Sequence, residues 1–229
     1  MGQLNNKVLG DSSGRVGGIV FRERGDRVYI SKRPRPKPNK VVSDLAKTIR
    51  DKFALTVAVC KGINGTSLLK SGWTADPTKA RSKFNKIFQE NYKSIGTIDS
   101  PGKPVLLPLT GFPIANAVIS LTQSGFTISA DQPGVDSGIN PVLEKFILGA
   151  GVMVMTDPTD PALPKFKVMA VKTGQQSLDT DAPINIAFTL MGNPLSDFKL
   201  YTTKKVSLTL ITTDTIGNRI NNSVTFMNA

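Results

Sequence analysis

Hydrophobic positions recur with two different periods along this chain, and the change falls near residue 100. Before it, apolar residues return every three or four positions, which predicts amphipathic helices. The first stripe is Leu45, Ile49, Phe53, Val57 and Cys60, opened by Ser43 as N-cap and closed by Gly62 and Gly65. A second helix is expected to open at Asp76-Pro77, an N-cap followed by proline in the first turn, and to stop at Gly96. Its apolar face is Ala80, Phe84, Ile87, Phe88 and Tyr92 or Ile95, with Trp73 as an anchor just before it. Two such helices are expected to form a helical hairpin over residues 41–99.

Beyond Ser100-Pro101-Gly102-Lys103-Pro104, which reads as an interdomain boundary, the period becomes two. Segments 116–122 and 126–130 flank Ser124-Gly125, a hairpin signal. Further strands are expected at 145–156, 165–173, 184–191, 204–213 and 219–227. Turn sequences separate several of them, among them Asp157-Pro158, Asp181-Ala182-Pro183 and Asn193-Pro194. Seven or eight short strands predict an all-β, immunoglobulin-like sandwich over residues 100–229, with a barrel as the alternative.

The front of the chain has a third character. Residues 15–22 and 27–31 are rich in β-branched and aromatic side chains, with Glu23-Arg24-Gly25-Asp26 as the turn of a hairpin. Lys32-Arg33-Pro34-Arg35-Pro36-Lys37-Pro38-Asn39-Lys40 follows. Its prolines impose an extended, polyproline-like path and deny strand pairing. Residues 1–40 thus form a basic hairpin and arm. The fold class expected overall is α+β.

Charge sharpens this division. Residues 1–100 hold 20 Lys+Arg against 8 Asp+Glu, and residues 101–229 hold 9 against 9. A field of that size on one end favours a polyanion or an acidic protein surface. The residues expected to meet it are Arg22, Arg24, Arg27, Lys32, Arg33, Arg35, Lys37 and Lys40.

Catalytic chemistry finds little to work with. There is no histidine, which removes the Ser-His-Asp and Cys-His arrangements and imidazole metal sites. The single cysteine, Cys60, sits in a helical apolar pattern and reads as a buried, inert thiol. Asp11-Ser-Ser-Gly-Arg-Val-Gly-Gly18 is glycine-rich, but no lysine follows the last glycine and a strand rather than a helix comes next, so it is not a phosphate loop. Asp157, Asp160, Asp179 and Asp181 lie in turn-like sequence, where aspartate normally caps backbone. No catalytic residue, metal site or cofactor is expected, and no small-molecule substrate. No apolar run spans a membrane, and the first residues carry no hydrophobic signal core.

The stretch Gly14-Arg-Val-Gly-Gly-Ile-Val-Phe-Arg-Glu-Arg-Gly-Asp-Arg-Val-Tyr-Ile-Ser-Lys-Arg-Pro-Arg-Pro-Lys-Pro-Asn39 resembles the opening of an uncharacterised family found in Bacteroidota, their phages and mobile elements. In that family a G-x-V-G-x-V hairpin leads to a basic Pro/Asn segment and then to a helix with a central Phe, matched here by Phe53. Asn222-Ser223-Val-Thr-Phe226 is similar to the family's closing strand pair. This chain departs at Pro38-Asn39-Lys40, where the family usually has Asn-Pro-x-Thr. A similar hairpin opens many small proteins of phage structural gene clusters. The resemblance implies a non-enzymatic virion component, capsid-, neck- or tail-associated, made in the host cytoplasm. Its partners would be other copies of itself and neighbouring virion proteins. Two rivals remain: a sequence-nonspecific nucleic-acid-binding protein, and a carbohydrate- or cell-binding sandwich using Phe112, Phe126 and Tyr201 on strand-end loops.

Overall fold

The computed structural model describes residues 2–4, 14–16, 18–24, 27–32, 42–75, 82–108, 111–134 and 137–228. The chain is mixed α+β, mostly β, with antiparallel sheets, and divides into two compact units, Met1–Ser43 and Asp44–Ala229. The first unit is one four-stranded sheet of β1 (Gly2–Leu4), β2 (Gly14–Val16), β3 (Ile19–Arg24) and β4 (Arg27–Lys32), in the order β1-β4-β3-β2. The expected hairpin is β3–β4, but the single strand expected over 15–22 is divided between β2 and β3, which pair antiparallel, and Glu23 and Arg24 of the expected turn belong to β3.

The second unit opens with α1 (Asp44–Gly65), α2 (Ser67–Ser71) and α3 (Lys83–Ser94). There follow β5 (Val118–Thr122), β6 (Gly125–Ala130), β7 (Phe146–Pro158), β8 (Phe166–Lys172), β9 (Gln176–Ser177) and β10 (Ile184–Thr189). Then come α4 (Asn193–Lys199), β11 (Tyr201–Thr213), β12 (Arg219–Asn222) and β13 (Phe226–Met227). One sheet runs β10-β6-β5; the larger runs β12-β11-β7-β8, with β13 on β11 and β9 on β7.

Strand β7 explains the packing. Its apolar run does not alternate, because both faces are covered. Ile147, Met153 and Met155 share one core with Phe126, Ile128, Ile186, Leu208 and Leu210 of the neighbouring strands. Leu148, Ala150, Val152 and Val154 share another with Leu55, Val59 and Ile63 of α1. Gly151 lies where β7 meets β11: a Cβ there would sit 1.9 Å from the Ser207 carbonyl oxygen.

The helices are therefore a layer on the large sheet and not a free-standing hairpin. Leu45, Ile49 and Phe53 are 70%, 51% and 52% exposed, and the buried residues are Leu55, Thr56, Val59, Cys60 and Ile63. At about 100° per residue Leu45 and Ile49 fall within the same arc of the helix as Leu55, Val59 and Ile63, so position along α1 and not its face exposes them: full burial begins only at Leu55. Gly62 does not stop α1. A Cβ there would lie 3.0 Å from Val152 Cγ1, so glycine at this position lets the helix settle on β7. Phe53 turns instead to α3, with its ring centroid 5.3 Å from that of Phe88. The Ser82 side chain caps α3 by accepting from the Asn85 N–H. The expected start at Asp76-Pro77 lies outside the described residues.

The segment expected to be an interdomain boundary runs through this same unit. Pro101 and Pro104 are buried, and Leu106 and Leu107 join the helix–sheet core. Trp73 is fully buried and its Nε1–H donates to the Leu106 carbonyl at 3.0 Å. Buried Asn91 of α3 donates from Nδ2 to the Ile87 and Val105 carbonyls and accepts the Val105 N–H on Oδ1. No described helix is long and apolar enough to cross a membrane.

Candidate polyanion-binding face

The register of the N-terminal sheet sorts its residues by chemistry. Val20 pairs with Ser31, Arg22 with Tyr29 and Arg24 with Arg27 across β3–β4. Arg15 of β2 pairs with Val20, and Gln3 of β1 with Tyr29. Directly paired residues share a face, as do residues two apart. Among the residues whose side chains are described, Val20, Arg22, Tyr29 and Ser31 share one face, and Ile19, Phe21, Ile30 and Lys32 share the other.

Of the expected site residues, Arg22 and Lys32 are exposed and lie on opposite faces, Arg22 paired with Tyr29 and Lys32 with Ile19. Arg24 and Arg27 are register partners at the end of β3–β4, and their side chains lie outside what is described. Arg33, Arg35, Lys37 and Lys40 lie outside the described residues.

Other constellations resolve into structure. Gly14-Arg15-Val16 is strand, not a phosphate-cradling loop. Asp160 accepts the Ala162 N–H and Asp179 the Asp181 N–H, both two residues on, as backbone-capping aspartates do. Asp157, at φ +56°, accepts from the Thr203 hydroxyl. A cleft of about 600 Å³ near Asp51, Asp99 and Asp157 is lined by three carboxylates. Asp51 there is paired with Lys165 at 2.9 Å, and among the described residues no cluster suits a metal ion. Buried Glu144 accepts from the Thr212 hydroxyl and the Asn140 N–H, tying its loop to β11. Cys60 is buried, and desolvation pushes its thiol up to about 12, so it stays protonated at neutral pH.

Two aromatic expectations are corrected. Phe112, Phe126 and Tyr201 are buried at 5%, 0% and 2% exposure, so none can stack on a sugar. Phe126 packs 4.9 Å from Phe188, and the Tyr201 hydroxyl donates to the Pro164 carbonyl. The α1 aromatic, conversely, is less buried than the stripe implies: Phe53 is half exposed. Comparison with protein-family models, with curated proteins and with solved structures finds no match to this chain.

Proposed function

We propose that this chain is a non-enzymatic building block of a particle, a bacteriophage virion component held in place through its basic N-terminal region. The observation that carries the reading is the excess of cations in residues 1–40, 10 Lys+Arg against 3 Asp+Glu, with Arg22 and Lys32 exposed on the strands β3 and β4. An excess of that size on one end favours an anionic surface met on assembly. The likeness of residues 14–39 to the Bacteroidota and phage family points the same way. The second unit is read as a β-sandwich of immunoglobulin-like kind that supplies subunit contacts. Two antiparallel sheets sharing one core support that reading, with the helix layer as an addition to the plain sandwich.

The test is sedimentation of the full chain over a wide concentration range, alone and with its particle neighbours, alongside limited proteolysis. Concentration-dependent association and protection of residues 1–40 on assembly are expected. A chain that stays monomeric throughout, with those residues protease-resistant on their own, overturns the reading.

A further inference from the structure

The small sheet of the body ends on a strand with unused backbone groups. We infer that β5 is a docking edge for β5 of a second copy, the two pairing antiparallel about Ser120 into one continuous sheet; this rests on the assembly reading above and names a subunit contact within it.

The register shows which backbone groups are spare. Strands β5 and β6 are joined by the tight turn Gln123-Ser124, so Thr122 and Gly125 form a hydrogen-bonded pair. Such pairs recur at every second position, Ser120 with Thr127 and Val118 with Ser129. The N–H and C=O groups of Ile119 and Leu121 point the other way, off the end of the order β10-β6-β5. They have no hydrogen-bond partner among the described residues.

This edge lacks the devices that keep strands apart. None of β5, β6 and β10 contains a charged residue, and β5 has neither proline nor bulge. In the large sheet, by contrast, β8 carries Lys167 and Lys172, and β12 carries Arg219. At the other end of the small sheet the core is closed, with Ile184 and Ile186 of β10 at 4% and 5% exposure. On β5 the core-facing Leu121 is 42% exposed. A hollow of about 420 Å³ opens beside it, lined also by Phe198, Lys199 and Lys204.

A second copy fits this edge in chemistry and in symmetry. Antiparallel pairing about Ser120 sets Ile119 of one copy against Leu121 of the other, and each such pair exchanges both of its N–H···O bonds. The apolar side chains of the pair cover each other, and Leu121 leaves water. Ser120 meets Ser120, and Val118 meets Thr122, so no charge is brought against its like. The chain carries a net charge of +12, so copies repel where their cations meet, and a charge-free edge is where that cost is least. Opposite charges approach only at the ends of the pair. The register carries the corner where Asn116 donates to Asp131 towards the hollow of the other copy. Asp131 is exposed, and Lys204 in that hollow donates to the Tyr201 carbonyl and has no carboxylate partner among the described residues.

The experiment takes the full chain with its Ser120→Lys and Ser120→Glu variants through sedimentation and amide exchange as concentration is raised. In the parent, exchange at Ile119 and Leu121 slows with concentration. Val118, Ser120 and Thr122, already bonded to β6, keep their rates. Like charges facing each other across the two-fold weaken self-association of either variant alone, roughly tenfold. An equimolar mixture of the two restores it, which also shows that both variants fold. The inference is overturned if the parent associates without slowing at Ile119 and Leu121, if either variant alone associates as the parent does, or if the mixture associates no better than its components. A chain that is monomeric alone but captured by its particle neighbours also removes it. Each of these outcomes leaves the assembly reading standing. A parent that pairs through β5, while residues 1–40 resist protease alone and gain nothing from particle neighbours, keeps the inference and removes that reading.

Discussion

In the body, Asp44–Ala229, the 13-residue strands β7 and β11 lie between a helix layer and a second sheet, and every buried side-chain polar atom described has a hydrogen-bond partner. In the N-terminal sheet, Ile19 is 44% exposed and no described side chain of the strands is fully buried. The body is held by what it excludes from water. Substitutions should therefore cost much more in the body than in the sheet.

The strongest test is Trp73→Ala. Truncating a fully buried tryptophan costs about 3–5 kcal/mol. It also leaves the Leu106 carbonyl without its donor. Urea unfolding followed by circular dichroism should show the body near collapse, while amide exchange in β3–β4 stays as in the parent. Simultaneous loss of protection in both regions breaks the comparison. Gly62→Leu comes next. Its Cβ is forced against Val152, and overpacking of this kind costs about 1–3 kcal/mol. A cost near zero would mean that α1 does not rest on β7 as described.

Leu45→Ser and Ile49→Ser should change stability least, within about 0.5 kcal/mol, because both side chains are mostly exposed. Leu55→Ala, further along α1, should cost about 2–5 kcal/mol. Equal costs at Leu45 and Leu55 would restore the stripe that simple four-residue counting suggests.

Period-two alternation locates the strands of the body well. The 184–191 segment, for example, closes on Ile184–Thr189, where Ile184 and Ile186 are buried and Asn185 and Ala187 exposed. The apolar run 146–155 is legible as a strand because turn residues bound it, although its partners on both faces are not. Helix existence is legible, but how much of the helix is covered is not: Leu45 and Ile49 share an arc with Leu55, Val59 and Ile63, and only the later turns are buried. Helix α4 reads as a turn in the sequence, since Asn193-Pro194 signals both a turn and a helix start, and its seven residues offer one buried anchor, Phe198. At the candidate site, Arg22 and Lys32 are legible from charge, but their placement on opposite faces depends on strand register, which residue type does not encode.

The order of the elements also bears on how the molecule comes into being. Helix α1 precedes the strand it covers by about eighty residues, and β7 finds its longest partner only when β11, Tyr201–Thr213, has been made. During synthesis the sheet-facing side of α1 and the whole of β7 are therefore exposed together until β11 has been made. A ribosome stalled before Thr213 holds an unfinished, adhesive chain, and closure of the body is a late event governed by pairing between distant segments. The N-terminal sheet needs only its first 32 residues for its pairings, so it is free to form long before the domain behind it exists.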